Sequence, residues 1–366
     1  MTTSDLVAQR LSNQQLSSPE FEKPVEVLRW LGAVQAQDFG AAKWALGLRM
    51  RAATDAAVEA AFNEGKILRT HVMRPTWHFV APEDIRWLLQ LTAPRVNIKC
   101  GPYYRKLELD DAVFKRTNRV LKKALKGGKH LTRVALQKLL NDSGTAANDS
   151  IRLAHIFLRA ELDQIICSGP RLGKQFTYAR FDERVPQAKP LSRDEALAKL
   201  TRRYFTSHGP ATLQDFVWWS GLTSGDAQQG IALAGRRLER VVINEKDHWI
   251  GLCLQTSQPR HPVHLLPSFD EYTVAYKDRQ AFHDQASMSA MGLLGPIVIV
   301  QGKMVGIWER TSDKKSAMLT LRLFKPLTRS ADRAVARAVA RYEAFLGTPV
   351  QTIHVSAMTP KLSARL

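Results

Sequence analysis

Acid and sulfur are what this chain is short of. Its 366 residues hold 34 Asp and Glu against 53 Lys and Arg, so the formal net charge is +19 and the isoelectric point about 10.1. Such a surface seeks polyanions, and nucleic acid is the first candidate. A halo of solubilising lysines or contact with an anionic membrane would produce the same balance, but no stretch reads as a basic amphipathic membrane helix. Three cysteines, Cys100, Cys167 and Cys253, stand far apart with no CxxC or CxxH spacing. That argues against zinc, iron–sulfur clusters and a disulfide framework, and fits a reducing cytoplasm. Long apolar runs are missing too. "GLLGPIVIV" is too short to span a bilayer and reads as a buried strand, and "MTTSDLVAQRLSNQQL" has no apolar core of a secretion signal. No GxxxxGK[ST], GxSxG or HExxH occurs, so P-loop, serine-hydrolase and zincin chemistry are set aside. The pairs His261/His264 and His71/His78 are weak signals for a metal, and neither metal nor cofactor is expected.

What remains is an ordinary globular composition, 45% hydrophobic and 24% charged, long enough for two to four domains. One rhythm recurs three times: helices, then a strand, a turn and another strand. In the middle copy "FKRTNRVLKKAL" and "TRVALQKLL" carry helical apolar spacing, with Thr132 as an N-cap. "NDSIRLAHIFLRAEL" follows, and then two strands in "QIICSGPRLGKQFTYARF". Helix–helix–helix–hairpin is the winged-helix plan, a helix-turn-helix variant whose third helix can enter a major groove. The expected fold is therefore α+β: three tandem winged-helix units over residues 1–100, 108–188 and 191–258, then a β-rich region over 259–366 with a terminal helix. In the first copy the two strands of "ILRTHVMRPTWHFVAP" fold back at Arg74–Pro75. In the last region Gly302–Lys303 forms a hairpin tip.

Basic side chains at helical spacing mark candidate DNA contacts. In the middle unit's third helix Ile151, Ala154, Phe157 and Leu158 share an apolar face, while Arg152, His155 and Arg159 form a basic stripe. Arg333, Arg337 and Arg341 stack at i, i+4 and i+8 on the last helix. Arg74 at the first hairpin and Arg236 and Arg237 ahead of the third complete the set. A solvated basic face is the ordinary alternative for each stripe. In "LLPSFDEYTVAYKDR", Asp270 and Glu271 read as strand residues pointing to opposite faces, with Asp270 suited to a turn or an ion pair with an arginine.

The sharper signal is "VLRWLGAVQAQDFGAAKWAL", where Gln35 and Gln37 flank Ala36 inside an apolar run. Gln35 falls on the inward face of a helix starting near Pro24, at least half buried. Asp38 reads as the N-cap of the next helix. Where the first helix unwinds, residues two apart turn to one side, so both amides can meet at a corner beside the hairpin. An inward amide must find partners or cost about 1–3 kcal/mol. It both donates and accepts but has no useful pKa, so it ties backbone together or serves a reaction that needs no strong base.

Together with "RPTWHFVAPEDIRWLL" and "LLPSFDEYTVAYKDR", in that order and spacing, this stretch resembles the winged-helix DNA glycosylases of the AlkZ/AlkX kind, over essentially the whole chain. Gln35-Ala36-Gln37 matches the glutamine–apolar–glutamine motif of the AlkZ-like group. The resemblance implies removal of cationic N3- and N7-alkylated purines from duplex DNA, and for some members unhooking of N7-guanine interstrand crosslinks. It gives Gln37 the attacking water and Gln35 the water or sugar. Asp38, Thr76 and His78 are expected to line the site. No lysine or proline nucleophile stands out, so a monofunctional, monomeric enzyme without cofactor is expected. A non-catalytic winged-helix regulator is the competing reading. An RNA-binding accessory protein is a third, without stacking-aromatic motifs to support it.

Overall fold

The structure is a computed structural model that describes residues 1–145, 147–252, 261–283, 294–312 and 316–356. Cys253 and the boundary drawn at 258/259 lie outside the described residues.

Helix α1 (Thr3–Asn13) starts at a capping box in which Thr2 and Asp5 satisfy each other's backbone. Helix α2 (Pro24–Leu31) opens on proline and stops at Gly32, whose φ is +91°. Strand β1 (Val34–Gln35), helices α3 (Phe39–Gly47) and α4 (Asp55–Asn63), and the hairpin β2 (Leu68–Val72) and β3 (Arg74–Val80) complete a first unit with sheet order β1-β3-β2. The hairpin turns at Met73, φ +63°. That is one residue before the expected Arg74–Pro75, because Arg74 already pairs with Val72. Helix α5 (Ile85–Lys106) then runs through the boundary drawn at residue 100, so the first and second units share a continuous helix.

The same connectivity returns twice. Helix α6 (Asp111–Ala124), strand β4 (Leu131–Thr132), helices α7 (Arg133–Asp142) and α8 (Ser150–Leu162), and strands β5 (Ile166–Ser168) and β6 (Thr177–Arg180) give order β4-β6-β5. A short α9 (Phe181–Arg184) ends that copy. In the third, α10 (Arg193–Ser207), α11 (Leu213–Ser220) and α12 (Ser224–Ala234) lead through a 3₁₀ turn into β7 (Leu238–Ile243) and β8 (Lys246–Gly251). A bridge from Ala211 to Trp249 stands where the other copies have their short strand.

Strand β9 (Val263–Leu266) and helix α13 (Glu271–Val274) begin the last region. Strands β10 (Ile297–Val300), β11 (Lys303–Ser312) and β12 (Ala317–Leu323) follow, then helix α14 (Arg329–Leu346) and strand β13 (Val350–Ser356). They form one sheet, β13-β12-β11-β10-β9. The expected terminal helix is thus a crossover to a parallel strand. The β10–β11 tip is Gln301–Gly302, one residue earlier than expected, since Lys303 pairs with Val300. Residues 271–274 are helical rather than a strand: Asp270 caps them, accepting from the Tyr272 amide at 2.9 Å.

Two apolar cores organise these parts. One joins α5 with the second and third copies. The other packs the first unit's helices against the last sheet, so the chain's end returns to its beginning. Trp44 Nε1 donates to the Leu265 carbonyl at 2.7 Å, and fully buried Arg49 grips Asp270 with two hydrogen bonds of 2.8 Å. Breaking such a buried pair from one side costs about 3–5 kcal/mol. It anchors the Asp270–Glu271 segment beside β1.

Candidate active site

Gly32 decides where the amides go. Its positive φ is poorly tolerated by other residues. A Cβ there would sit 3.2 Å from Arg203 Cδ and 3.3 Å from the Trp219 ring. Helix α2 therefore ends at Leu31, four residues before Gln35, which lies in extended chain rather than on the expected helical face. Val34 pairs with Phe79 and Gln35 with His78, and the Ala36 amide donates to the Trp77 carbonyl at 2.7 Å. Side chains in extended chain alternate faces, and directly paired residues share one. One sheet face thus collects Gln35 and Gln37 from the first segment and Arg74, Thr76 and His78 from β3.

The hydrogen bonds fix how the amides point. Arg74 Nη2 donates to Gln35 Oε1 at 3.0 Å, and the Trp77 amide donates to Gln37 Oε1 at a long 3.4 Å. Both donors lack acceptor capacity, so each amide's oxygen must face the protein. Its NH₂ is left without an acceptor among the described residues. Gln35 is 8% exposed, whereas Gln37 stands exposed. Asp38, also exposed, caps α3 by accepting from the Ala41 amide at 2.9 Å. Arg69 braces the segment from the other face, donating to the Ala36 carbonyl at 2.9 Å with its guanidinium 4.3 Å from the centre of the Trp77 ring.

Glu271 is the group that reading the sequence missed. Fully buried, it accepts the Gln35 backbone amide at 2.9 Å with one oxygen and the Trp219 indole at 2.9 Å with the other. His208 Nε2 lies 3.5 Å away. Burial pushes the carboxyl's pKa up, but His208, the Gln35 amide and the Arg74 charge outweigh it and hold it below the usual glutamate range. Burial lowers the pKa of Arg74 while Glu271 opposes the shift. Burial, and then the Arg74 charge, push His78 down to about 3. His78 is therefore neutral near pH 7. Its Nδ1 lies 2.9 Å from the Thr76 carbonyl, an arrangement that calls for a proton there, so Nε2 presents a lone pair. That Nε2 and the Thr76 hydroxyl are buried polar atoms with no partner among the described residues.

The remaining candidates lie elsewhere. The middle unit's stripe is consumed internally. Arg152 caps α5 through the Leu107 and Glu108 carbonyls, His155 stacks on Tyr103 at 5.2 Å, and Arg159 pairs with Asp163 at 2.8 Å. The helix buries Leu153, Ile156, Phe157, Leu158 and Ala160, not the expected Ile151, which is 56% exposed. On α14, Arg333 and Arg337 are exposed, but Arg341 turns inward to cap α3 at the Leu48 carbonyl, 2.7 Å away. Burial lowers its pKa to about 10. Arg236 and Arg237 are exposed on the turn before β7. His71 and His78 point to opposite faces, with His71 Nδ1 2.7 Å from Glu161. Two adjacent acids amid "LLPSFDEYTVAY" are a legible sign of buried partners. Which partners they find, from 52 to 236 residues away, is not.

Comparison with known proteins adds three findings. The family model described as DNA glycosylase AlkZ-like matches residues 28–345. An interstrand DNA cross-link repair glycosylase of Streptomyces sahachiroi is 24% identical over 340 residues, 82% of this chain and 86% of that protein. The solved structure of the Streptomyces sahachiroi DNA glycosylase AlkZ superposes with a TM-score of 0.79 at 21% identity, covering 97% of this chain and 100% of that one. This last likeness establishes a shared α+β fold.

Proposed function

The chain belongs to the AlkZ-like DNA glycosylases, and on that footing we propose that it hydrolyses the N-glycosidic bond of purines made cationic by alkylation at N3 or N7 in duplex DNA. The supporting observation is the register that pairs Gln35 with His78 and so aligns both amides with one wall of buried polar atoms. Gln37, exposed, holds the attacking water through its amide. Gln35, anchored by Arg74 and Glu271, holds the sugar or the same water.

Water's oxygen bonds to C1′ as the C1′–N bond breaks. The bond's electron pair passes to the purine and cancels its charge, and the water's proton leaves to solvent. No strong base is required, because the damaged base is already a good leaving group. Neutral His78 offers an acceptor without adding positive charge opposite the developing oxocarbenium ion. The Glu271 carboxylate behind Gln35 favours that ion, with Arg74 offsetting part of its field. No lysine or proline nucleophile is used, so the product is an abasic site.

We read the three recurrent copies as winged-helix units, and the enzyme as a cytoplasmic monomer clamping duplex DNA. Cationic lesions need little base flipping on this reading, because bond lability replaces a tight base pocket. Crosslinks joined through N7 of guanine contain the same weakened bond, so they fall within the proposed range. The cross-link repair named for the Streptomyces relative points the same way.

The test is incubation with duplex DNA carrying N7-methylguanine, followed by hot alkali. Strand breaks at the lesion are expected for wild type, and their loss for Gln37→Ala with DNA binding retained. No release from several alkylpurines or from a crosslink would favour the non-catalytic regulator instead.

A further inference from the structure

A cleft of about 490 Å³ opens between the first and third units. Arg29 and Trp30 of α2, Lys199, Arg202 and Arg203 of α10, and Arg237 ahead of β7 line it. Three of these cations are spoken for. Arg29 pairs with Glu83, while Lys199 and Arg203 share Asp84 at 3.1 and 2.6 Å. Arg202 and Arg237 have no ion-pair partner among the described residues, and the stretch 253–260 that follows the cleft's Leu252 contains no acid. The two guanidinium groups instead feel each other. Partial burial lowers the Arg202 pKa, and the Arg237 charge lowers it further. Unbalanced like charges in a concave wall lower stability unless an anion enters.

Interior packing connects the cleft to the segment that carries the amides. Arg203 lies against Gly32, and so does Trp219, which donates to Glu271; Glu271 in turn accepts the Gln35 amide. We propose that Arg202 and Arg237 clamp one backbone phosphate of the DNA strand that enters the active site, flanking the lesion. Two guanidinium forks supply several donors in a geometry suited to the phosphate oxygens. This inference rests on the glycosylase reading above for the identity of the strand, but not for the anion.

The experiment measures the Kd of a labelled duplex carrying one N7-methylguanine between 50 and 200 mM salt, alongside single-turnover excision. The double variant Arg202→Gln/Arg237→Gln should flatten the plot of log Kd against log salt by about one unit, since losing the one clamped phosphate removes about 0.9. The enzyme concentration for half-maximal excision should rise in step, by roughly tenfold or more at low salt. Its Tm should stay level or rise, because a repulsion has been removed. The Arg202→Lys/Arg237→Lys variant should restore the slope. Lys122→Gln/Lys123→Gln removes two exposed charges on α6 and should flatten it less. A cleft variant with the wild-type slope, or no flatter than the α6 control, overturns the proposal. If wild type releases no base yet the slopes separate as expected, the glycosylase reading fails and the phosphate clamp stands.

Discussion

The three copies differ most where they are topologically most alike, in the short segment between the first and second helix. In each, that segment ends at the N-cap of the second helix: Asp38, Thr132 and Thr212. In the second and third copies the preceding residue is apolar, Leu131 or Ala211, and it belongs to the backbone ladder. Leu131 pairs with Tyr178, and Ala211 exchanges hydrogen bonds of 3.1 and 2.8 Å with Trp249. In the first copy the residue is Gln37, and the Trp77 amide meets its side-chain oxygen, not its backbone carbonyl. The strand peels away one residue early and leaves a carboxamide exposed. Behind it, Glu271 takes the Gln35 amide. The scaffold repeats, but the first copy is distinguished by two amides and by a distant segment folded against them.

The largest expected effect comes from withdrawing that distant support. Glu271→Leu leaves the Arg74 charge buried without its counter-charge and the Gln35 amide and Trp219 indole without an acceptor. Unfolding free energy measured in urea should fall by about 3–5 kcal/mol. A loss below 1 kcal/mol would mean the first copy's strand stands on its own, as the second's does. Next in size is Gln37→Ala. Single-turnover excision should drop about 10²–10³-fold, roughly 3–4 kcal/mol in the barrier. Leu131→Ala at the corresponding place should leave excision unchanged. Equal rates for wild type and Gln37→Ala would erase the distinction between the copies.

The sequence carried much of this contrast but not its cause. Helix–helix–helix–hairpin was legible from period and turn residues, because each copy is built from contacts close along the chain. Gln35 and Gln37 were visible as amides in an apolar run, and Asp38 as a cap. The helical placement of Gln35 was wrong because the stop signal is Gly32, and a glycine within an apolar run gives no hint of the Arg203 and Trp219 packing that requires it. Glu271 was out of reach for a similar reason, since its partners Gln35 and Trp219 come from other units. For the basic stripe of α8, periodicity shows which residues share a face but not which partners they already have in the fold. Arg152 and Arg159 are bonded to backbone and acid within the fold.

A pH titration sharpens the comparison through His78, which the first copy pairs with Gln35. Its folded pKa, about 3, lies below the ordinary 6.5, so between these values the unfolded chain binds more protons. Stability must then rise with pH across that window, by up to about 1.4 kcal/mol per unit, and level off above 6.5. Glu271, also depressed, acts in the same direction: its contribution is present above the ordinary glutamate value and lost as pH falls through the folded one. Urea unfolding from pH 4 to 7 should show a shallower slope for His78→Gln than for wild type. Parallel slopes would mean His78 is not held neutral by the wall around it.

The smallest effect separates capping from chemistry. Thr132 and Asp38 do the same structural work, each accepting a hydrogen bond from the third amide of its helix, at 3.3 and 2.9 Å. Replacing either by alanine should cost about 1 kcal/mol of stability. Thr132→Ala should do nothing else. Asp38→Ala should also slow excision if the carboxylate beside Gln37 lines the site, because a negative charge there would attract the positive charge growing on the sugar. Asp38→Asn keeps a capping oxygen without the charge, so it should restore stability but not rate. If Asp38→Asn excises as fast as wild type, Asp38 is a cap like Thr132, and the chemistry of the first copy stops at Gln37.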